Sequence, residues 1–230
     1  MKDALLAFAG VHARFARHDV LRDVSFHIAP GVSTAMVGAN GAGKSTLLRL
    51  ALDLVAPSRG SITLKGHAAR HPASRQHLAY LPERFASPHF LTGHELLAGL
   101  LALHGIPYSQ DSASVECRHL GLPPSVLRDR ARTYSKGMHQ CLGLVACLLT
   151  QREFLVLDEP FSGLDPITAE RFCVRLKEAQ RQGVTLFFSS HDMGTLAELC
   201  ERVILLKQGE IAFDGAPSAL RARYPGPRSA

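Results

Sequence analysis

The chain has 230 residues, which is enough for one core with two lobes and too few for two full domains. Hydrophobic residues make up 46% and charged residues 20%, a composition that is typical of globular proteins and excludes bulk disorder. The net charge of +6 would suit nucleic acid or an anionic membrane, but the basic residues are scattered along the chain. The densest cluster, Arg128, Arg130 and Arg132, has no interleaved aromatic residues. We interpret it as a solvated surface and expect no nucleic-acid partner.

The sequence predicts neither a membrane span nor a disulfide framework. No stretch approaches the roughly 20 apolar residues that cross a bilayer. The apolar segment 4–11 could be a short signal sequence or a first β-strand; we favour the strand, because Lys2 is offset by Asp3 and no positive leader results. The cysteines are irregularly spaced, lack a CxxC pair and fit a reducing cytosol. They are Cys117, Cys141, Cys147, Cys173 and Cys200.

The first third of the chain is predicted to form strands, and the middle third helices. Short runs rich in β-branched residues are separated by turn signals such as Pro30-Gly31. In the middle third, Thr92 and Glu95 form a capping box before leucines at helical spacing. Besides the first strand, the predicted elements are strands at 24–28, 32–37, 61–64 and 78–81, a helix after Thr92 that ends near Gly105, a Gly/Pro turn region at 120–125, and a long helix at about 135–149.

The last third alternates between strand and helix. Phe154–Leu157 is a continuous apolar run, as expected for a strand buried on both faces of a parallel sheet. The other predicted elements are helices at about 168–182 and 193–201, strands at 184–188, 203–206 and 211–213, and a loose end from residue 225. This alternation predicts an α/β core.

The segment from Gly38 to Thr46 matches the phosphate-binding P-loop pattern. Its glycines let backbone N–H groups turn toward an anion, and the positive end of the following helix-like run, 47–54, favours phosphate. Lys44 would contact the β- and γ-phosphates of a nucleotide, and the Ser45 hydroxyl would bind magnesium. The alternative is an accidental glycine-rich turn, which the strand before the loop and the helix after it disfavour. The candidate binding residues are Gly38, Asn40, Gly41, Ala42, Gly43, Lys44, Ser45 and Thr46.

Polar residues follow two more of the predicted buried strands. Asp158 and Glu159 come directly after the strand at 154–157, at the carboxyl end, where ligands bind in open α/β sheets. Asp158 would hold magnesium through water, and Glu159 would polarise the attacking water. Alone, this pair would be a solvated turn; with the P-loop it indicates a hydrolytic site. His191 would reach the γ-phosphate and report its presence, or it is a structural histidine.

Together these motifs resemble those of the ATP-binding subunits of ABC transporters, over about 5–219. The segments Tyr80-Leu81-Pro82-Glu83-Arg84 and Tyr134-Ser135-Lys136-Gly137-Met138 are most similar to the short ATPases of export-type, ABC-2-like permeases. The resemblance implies an α/β P-loop NTPase core with a mainly parallel sheet, an N-terminal antiparallel β lobe and an inserted helical lobe. It implies a single domain over 1–230, with a core lobe at about 1–85 and 150–219, a helical lobe at about 86–149 and a loose tail at about 220–230.

The resemblance also implies roles that phosphate chemistry alone does not. Residues 134–138 match the family's LSGGQ signature, so Ser135 and Gly137 would bind the γ-phosphate of ATP held by a second subunit; a plain helix N-cap is the alternative. Residues 162–165 match the D-loop of the dimer interface, or form an ordinary turn. Phe15 matches an aromatic residue that stacks on adenine, or packs in the core.

Two departures from the family pattern affect the site. Lys136 and Met138 replace Gly and Gln of the strict signature, and Glu83 replaces a magnesium-sensing Gln. The Glu83 carboxylate can still bind magnesium, but it adds negative charge near the γ-phosphate. The chain keeps the other reacting groups, so we expect a competent ATPase. The reacting groups that the chain keeps are the catalytic residues Lys44, Glu159 and His191, and the metal ligand Asp158.

The resemblance implies ATP and magnesium as ligands, and a membrane permease and a second ATPase subunit, identical or paralogous, as partners. The chain would then lie peripherally on the cytoplasmic face of the cell membrane, bound only through the permease, and would power export. A surface groove beside the start of the helical lobe at Glu83 would receive a coupling helix of the permease. Two alternatives stay open: a non-transport ABC ATPase that acts on DNA or ribosomes, and a regulatory nucleotide-binding module that switches without turnover.

Overall fold

The computed structural model describes residues 4–16, 18–191 and 198–224. The chain divides into two compact units: Met1–His77 with Thr185–Ala230 form unit 1, and Leu78–Val184 forms unit 2. None of the helices within the described ranges has both the length and the apolar character that a membrane crossing requires.

The described elements combine strands and helices along the whole of the described chain. In chain order they are β1 (Leu6–Phe15), β2 (His18–Ile28), β3 (Thr34–Val37), α1 (Lys44–Ala51), β4 (Arg59–Leu64), β5 (His67–Ala68), β6 (Leu78–Leu81), α2 (Gly93–Leu103), α3 (Gln110–His119), α4 (Lys136–Leu149), β7 (Phe154–Leu157), α5 (Pro166–Arg181), β8 (Thr185–Ser190), β9 (Arg202–Lys207), β10 (Glu210–Gly215) and α6 (Pro217–Arg223), with short 3-10 helices at Pro72–His77, Pro124–Arg128 and Ala131–Thr133. This order confirms the predicted α/β class.

Unit 1 contains an antiparallel sheet and a mainly parallel one. The antiparallel sheet has the strand order β2-β1-β4-β5. In the second sheet, β3 pairs in parallel with both β8 and β9, and β10 is antiparallel to β9. Aromatic rings fill the core between the sheets: Phe8 stacks on Phe26 at 4.8 Å, and Phe26 lies 6.0 Å from Phe187. Burial of such side chains contributes roughly 1.5–3 kcal/mol each to folding.

Unit 2 contains the parallel pair β6 and β7, with helices α2 to α4 inserted between them in sequence and α5 after them. All four residues of β7 are buried, as the continuous apolar run predicted. The Tyr134 hydroxyl shares its one proton between the carbonyl oxygens of Val126 (2.7 Å) and Asp129 (2.9 Å), which fixes the segment before α4. Burial raises the pKa of Tyr134 to about 12, so this hydroxyl stays a donor at neutral pH.

Several predicted elements are confirmed by their end contacts. Strand β1 begins within segment 4–11, which confirms the predicted first strand. Thr92 Oγ1 accepts a hydrogen bond from the Glu95 backbone N–H (3.2 Å), and Glu95 Oε2 accepts one from Thr92 N–H (2.8 Å), which is the predicted capping box of α2. Ser135 caps α4 as predicted. The strands at 78–81 and 154–157 have the predicted bounds.

Other boundaries were wrong, and each error has a local cause. Helix α5 begins at Pro166, two residues early, because Asp165 supplies the cap and proline suits the first helical position. Helix α1 spans 44–51 and not 47–54, because the last residues of the P-loop, from Lys44, already form the first turn of the helix. Helix α3 was missed, and 3-10 helix 124–128 overlaps the expected turn. Helix α6 extends into the expected tail. The helix predicted at 193–201 lies mostly outside the described residues, and the lobe boundaries stay a prediction.

Candidate nucleotide-binding site

The P-loop connects β3 to α1 in unit 1. The Lys44 ammonium donates a hydrogen bond to the Gly38 carbonyl oxygen at 2.8 Å, so the side chain folds back across its own loop. Lys44 is only 7% exposed. Gly43 caps α1 with φ 107°, and a Cβ there would lie 2.7 Å from Leu21 Cδ2. Only glycine fits this position, because an L side chain would be strained as well as crowded.

The loop can hold a phosphate through its backbone. Gly41 also has positive φ, 82°, and such conformations turn successive N–H groups toward one anion. The first turn of α1 has no acidic residue, so nothing there offsets the positive helix end. Ser45 and Thr46 are half-buried in this turn, Ala42 is buried, and Asn40 is exposed on the loop. The donors therefore fit a nucleotide phosphate.

Within unit 1, His191 lies at the same sheet edge as the P-loop. Strands β3 and β8 are parallel, with Val37 opposite Ser190. The residue after each strand, Gly38 or His191, therefore follows the carboxyl end of the sheet, as predicted, and His191 is exposed. Phe15 lies at the end of β1, in the other sheet, and is 45% exposed. This exposure argues against core packing and leaves the ring available for stacking.

Within unit 2, Glu83 and Asp158 also share a sheet edge. Strands β6 and β7 are parallel with Leu81 opposite Leu157, and the Asp158 N–H donates to the Leu81 carbonyl at 2.8 Å. Asp158 is 5% exposed and Glu83 is exposed. The two predicted metal ligands of this unit therefore leave neighbouring strands at the same end.

Glu159 has a backbone conformation that is unusual for its residue type. Its φ is 43°, in the left-handed region that costs an L residue roughly 1–2 kcal/mol. Such strain collects at functional sites, where the surrounding structure holds it. The turn after β7 therefore fixes the backbone position from which the Glu159 side chain extends.

The predicted signature motif forms the N-terminus of α4. Ser135 Oγ accepts a hydrogen bond from the Met138 N–H at 3.2 Å. This is a helix N-cap, the alternative raised from the sequence, and it leaves the hydroxyl hydrogen free of that bond. Ser135 is exposed and Gly137 is half-buried. The first turn of α4, like that of α1, has no acidic residue.

Sequence reasoning missed Gln140, which connects α4 to the end of β6. Its side chain is 1% exposed, and its Nε2 donates to the Pro82 carbonyl at 3.5 Å, next to Glu83. A single buried polar residue in an apolar helix was the available signal, because such a residue needs a partner.

The predicted D-loop ends in a strong cap. Asp165 Oδ1 accepts hydrogen bonds from the N–H groups of Ile167 (3.1 Å) and Thr168 (3.0 Å), and Oδ2 accepts one from Thr168 Oγ1 (2.6 Å). These bonds, led by the Thr168 hydroxyl, lower the pKa of Asp165. Asp165 therefore stays ionised at neutral pH and fixes the loop to the start of α5.

The strand, glycine loop, lysine and helix at 34–51 define a P-loop nucleotide-binding protein. Comparison with known proteins identifies its family: the family model "ABC transporter" matches residues 21–162. The ABC-type transporter ATP-binding protein EcsA of Bacillus subtilis is 32% identical over 96% of this chain and 91% of its own length. The Nod factor export ATP-binding protein I of Paraburkholderia xenovorans is 32% identical, over 98% of this chain and 75% of its own length.

A solved structure of an ATP binding subunit of an ABC transporter has the same fold. It superposes with a TM-score of 0.85 at 29% identity and covers 95% of this chain and 92% of its own. The chain therefore belongs to the ABC transporter ATP-binding family, whose members bind nucleotide and are ATPases coupled to transport. The predicted P-loop NTPase fold and the family resemblance are confirmed.

Proposed function

We propose that this chain powers export as one half of an ATP-sandwich dimer bound to a separate membrane permease. The observation that carries the proposal is that two helix N-termini that follow predicted phosphate-binding motifs, that of α1 behind the P-loop and that of α4 behind Ser135, have no acidic residue in their first turns. One nucleotide needs only the first of them in its own subunit. The second end is then available to the nucleotide of a partner.

Each candidate residue has one role in this proposal. The P-loop N–H groups and Lys44 hold the phosphates, Phe15 stacks on adenine, and His191 contacts the γ-phosphate. Ser45, Glu83 and Asp158 hold magnesium, which neutralises phosphate charge when it is bound. The oxygens of these three side chains suit that ion, which prefers hard ligands. Glu159 orients water for in-line attack and accepts its proton.

ATP would close the dimer through Ser135 and Gly137 of the partner. Hydrogen bonds to a charged group contribute roughly 1.5–3 kcal/mol each. Moving a two-state equilibrium from 1:99 to 99:1 needs about 5.5 kcal/mol. Two to four such bonds across the pair of sites therefore suffice, and loss of the γ-phosphate on hydrolysis removes them.

A groove in unit 2 supports docking of a permease segment. It encloses about 370 Å³ beside Glu83, and none of the described residues that line it is acidic. The lining residues are Arg84, Phe85, Ala86, Ser87, His89, Lys136, His139 and Gln140. Burial, and then the nearby His89, lower the pKa of His139, so Arg84 and Lys136 supply the positive charge at neutral pH. We infer that the docking segment is a short helix with acidic and apolar residues.

The permease would hold the chain on the cytoplasmic face of the cell membrane. The Nod factor export relative and the two segments 80–84 and 134–138 support export as the direction. The second subunit is a copy of this chain or a paralogue. Action on DNA or ribosomes is the alternative that the family name disfavours.

The test is Glu159→Gln. Loss of the general base should lower kcat by about 100-fold or more, while ATP binding persists, so ATP should trap a dimer. Light scattering after gel filtration, with and without ATP–magnesium, measures the mass. Adding Ser135→Arg to the same background is the matched control: ATP should still bind, and the protein should stay monomeric.

Two results would contradict the proposal. Monomers alone at saturating ATP would rule out the sandwich. Wild-type protein that binds ATP without steady-state hydrolysis would indicate the regulatory module instead.

A further inference from the structure

Lys136 is one of the two residues of the signature motif that depart from the family pattern, and phosphate binding alone does not explain it. It is the first residue of α4, it is exposed, and no acidic residue accompanies it in the first turn. The helix dipole disfavours a cation at this end. The contacts of its side chain must therefore explain why a lysine occupies this position.

The side chain crosses the D-loop of the same unit. The Lys136 ammonium donates a hydrogen bond to Ser162 Oγ at 3.3 Å. Its stem lies over Gly163, where an added Cβ would be 2.8 Å from Nζ and 2.9 Å from both Cδ and Cε. Gly163 also has φ 79°, so its backbone conformation favours glycine whatever the lysine does. The lysine occupies the space that a side chain at 163 would take.

The D-loop also packs against the next signature residue. A Cβ at Gly137 would lie 3.7 Å from Leu164 Cδ2 and 3.8 Å from the Gly163 carbonyl, which is ordinary van der Waals contact. At the other end of the loop, Asp165 caps α5. The four residues 162–165 are thus held on one side by the start of α4 and on the other by the start of α5.

We propose that Lys136 is a positioning residue that fixes the D-loop to the signature helix, so that one subunit presents both segments to its partner as a single surface. The inference rests on the proposed dimer. Because Lys136 also lines the groove beside Glu83, a segment docked there contacts the residue that holds the D-loop. Release of the D-loop lowers the population of the closed dimer and leaves the P-loop of the same subunit unchanged.

The experiment is a double-mutant cycle on Lys136→Ala and Ser162→Ala. Each variant should lower kcat for ATP about three- to tenfold, the loss expected for one long, exposed hydrogen bond. The KM for ATP should stay within about twofold, since uniform binding is not removed. The double variant should be no slower than either single variant, because both remove the same bond.

Dimerisation and rescue separate this role from simple loss of folding. In the Glu159→Gln background, Lys136→Ala should weaken ATP-dependent dimerisation about three- to tenfold at unchanged ATP affinity. Lys136→Arg should restore most of the activity, because a guanidinium can also donate to Ser162. Arg132→Ala removes a nearby exposed cation and should match the wild type; if it instead reproduces Lys136→Ala, general charge is responsible and the proposal fails.

Three further outcomes overturn the inference. They are a wild-type kcat and dimerisation in Lys136→Ala, independent multiplicative losses in the double variant, and no rescue by arginine. If Lys136→Ala does not fold, Ser162→Ala and Lys136→Arg decide by the same criteria. Wild-type protein without ATP hydrolysis would overturn the proposed function as well, whereas active wild type with unaffected variants overturns this inference alone.

Discussion

Lys44 and Lys136 occupy the same position in two helices, since each is the first residue of its helix, α1 or α4. A cation at this end is opposed by the helix dipole by about 0.3–1 kcal/mol where it is exposed. Acidic residues in the same turn could offset the charge, but neither first turn has one. Each of these helix ends therefore carries a lysine in addition to its own partial positive charge. The two lysines therefore cost a little folding stability, and we expect them to be present for their roles at the site.

Lys44→Ala should weaken ATP binding about 10- to 100-fold, the loss expected for one or two hydrogen bonds from an ammonium to phosphate. Titration with a fluorescent ATP analogue measures the Kd. The same variant removes the bond to the Gly38 carbonyl, so thermal unfolding should be recorded too. Lys207→Ala, at the exposed end of β9, is the matched control and should bind ATP as the wild type does. Unchanged affinity in Lys44→Ala would contradict the assignment of the P-loop.

At the scale of elements, one ion pair joins α3 to α5 in unit 2. Arg175 Nε and Nη2 donate to the two carboxylate oxygens of Glu116, both at 2.7 Å. The side chains are 11% and 13% exposed. The hydrogen bonds to Glu116 raise the pKa of Arg175, so the guanidinium keeps its positive charge at neutral pH. Arg175 Nη1 has no hydrogen bond and lies 3.6 Å from Glu178.

Glu116→Ala should lower the free energy of unfolding by about 3 kcal/mol, the lower end for a buried pair, because Arg175 loses both hydrogen bonds to Glu116 and keeps only the 3.6 Å contact with Glu178. Replacing both members, as Glu116→Leu with Arg175→Met, should recover most of the loss, since the desolvation cost disappears with the charges. Urea denaturation measures both. Arg14→Ala, which breaks an exposed pair with Asp19 at 3.7 Å, should cost less than about 1 kcal/mol. A Glu116→Ala loss as small as that of Arg14→Ala would show that water already screens the pair.

The elements that the sequence predicted well carry their own local signals. The capping box identified α2, the continuous apolar run identified β7, and Ser135 marked the start of α4. Helix α3 was missed because its residues are mostly polar, and its packing depends on the distant partner Arg175 in α5. Pairing of this kind cannot be found from a local pattern, since 59 residues separate the two side chains.

At the scale of the whole molecule, the residues of the candidate site could be named from motifs, but their contacts could not. The P-loop, the acids after β7 and His191 all follow strands, so the parallel sheets explain why each motif lies at a carboxyl edge. Lys136 crossing Gly163 and Gln140 bonding to Pro82 arise from tertiary packing, which no spacing rule encodes. The unusual φ of Glu159 likewise follows from the surrounding turn and not from its residue type.

The charge of the whole molecule gives a last prediction, that the isolated chain does not bind lipid directly. The 26 basic and 20 acidic residues leave +6, but the basic groups are dispersed. A basic residue contributes about 1 kcal/mol only within a Debye length, about 8 Å, of an anionic surface. The densest cluster, Arg128, Arg130 and Arg132, would therefore supply roughly 3 kcal/mol, less than the 4.1 kcal/mol of a millimolar Kd.

Purified protein should therefore stay in the supernatant when vesicles of phosphatidylcholine and phosphatidylserine are sedimented at physiological salt. At low salt some should pellet, because longer screening lengths let more charges act together. Changing the three arginines to glutamine should reduce only that low-salt fraction. Saturable binding at physiological salt that the triple variant abolishes would mean that the chain contacts the membrane by itself. The permease would then not be its sole attachment, and the basic cluster would be part of a lipid-binding surface.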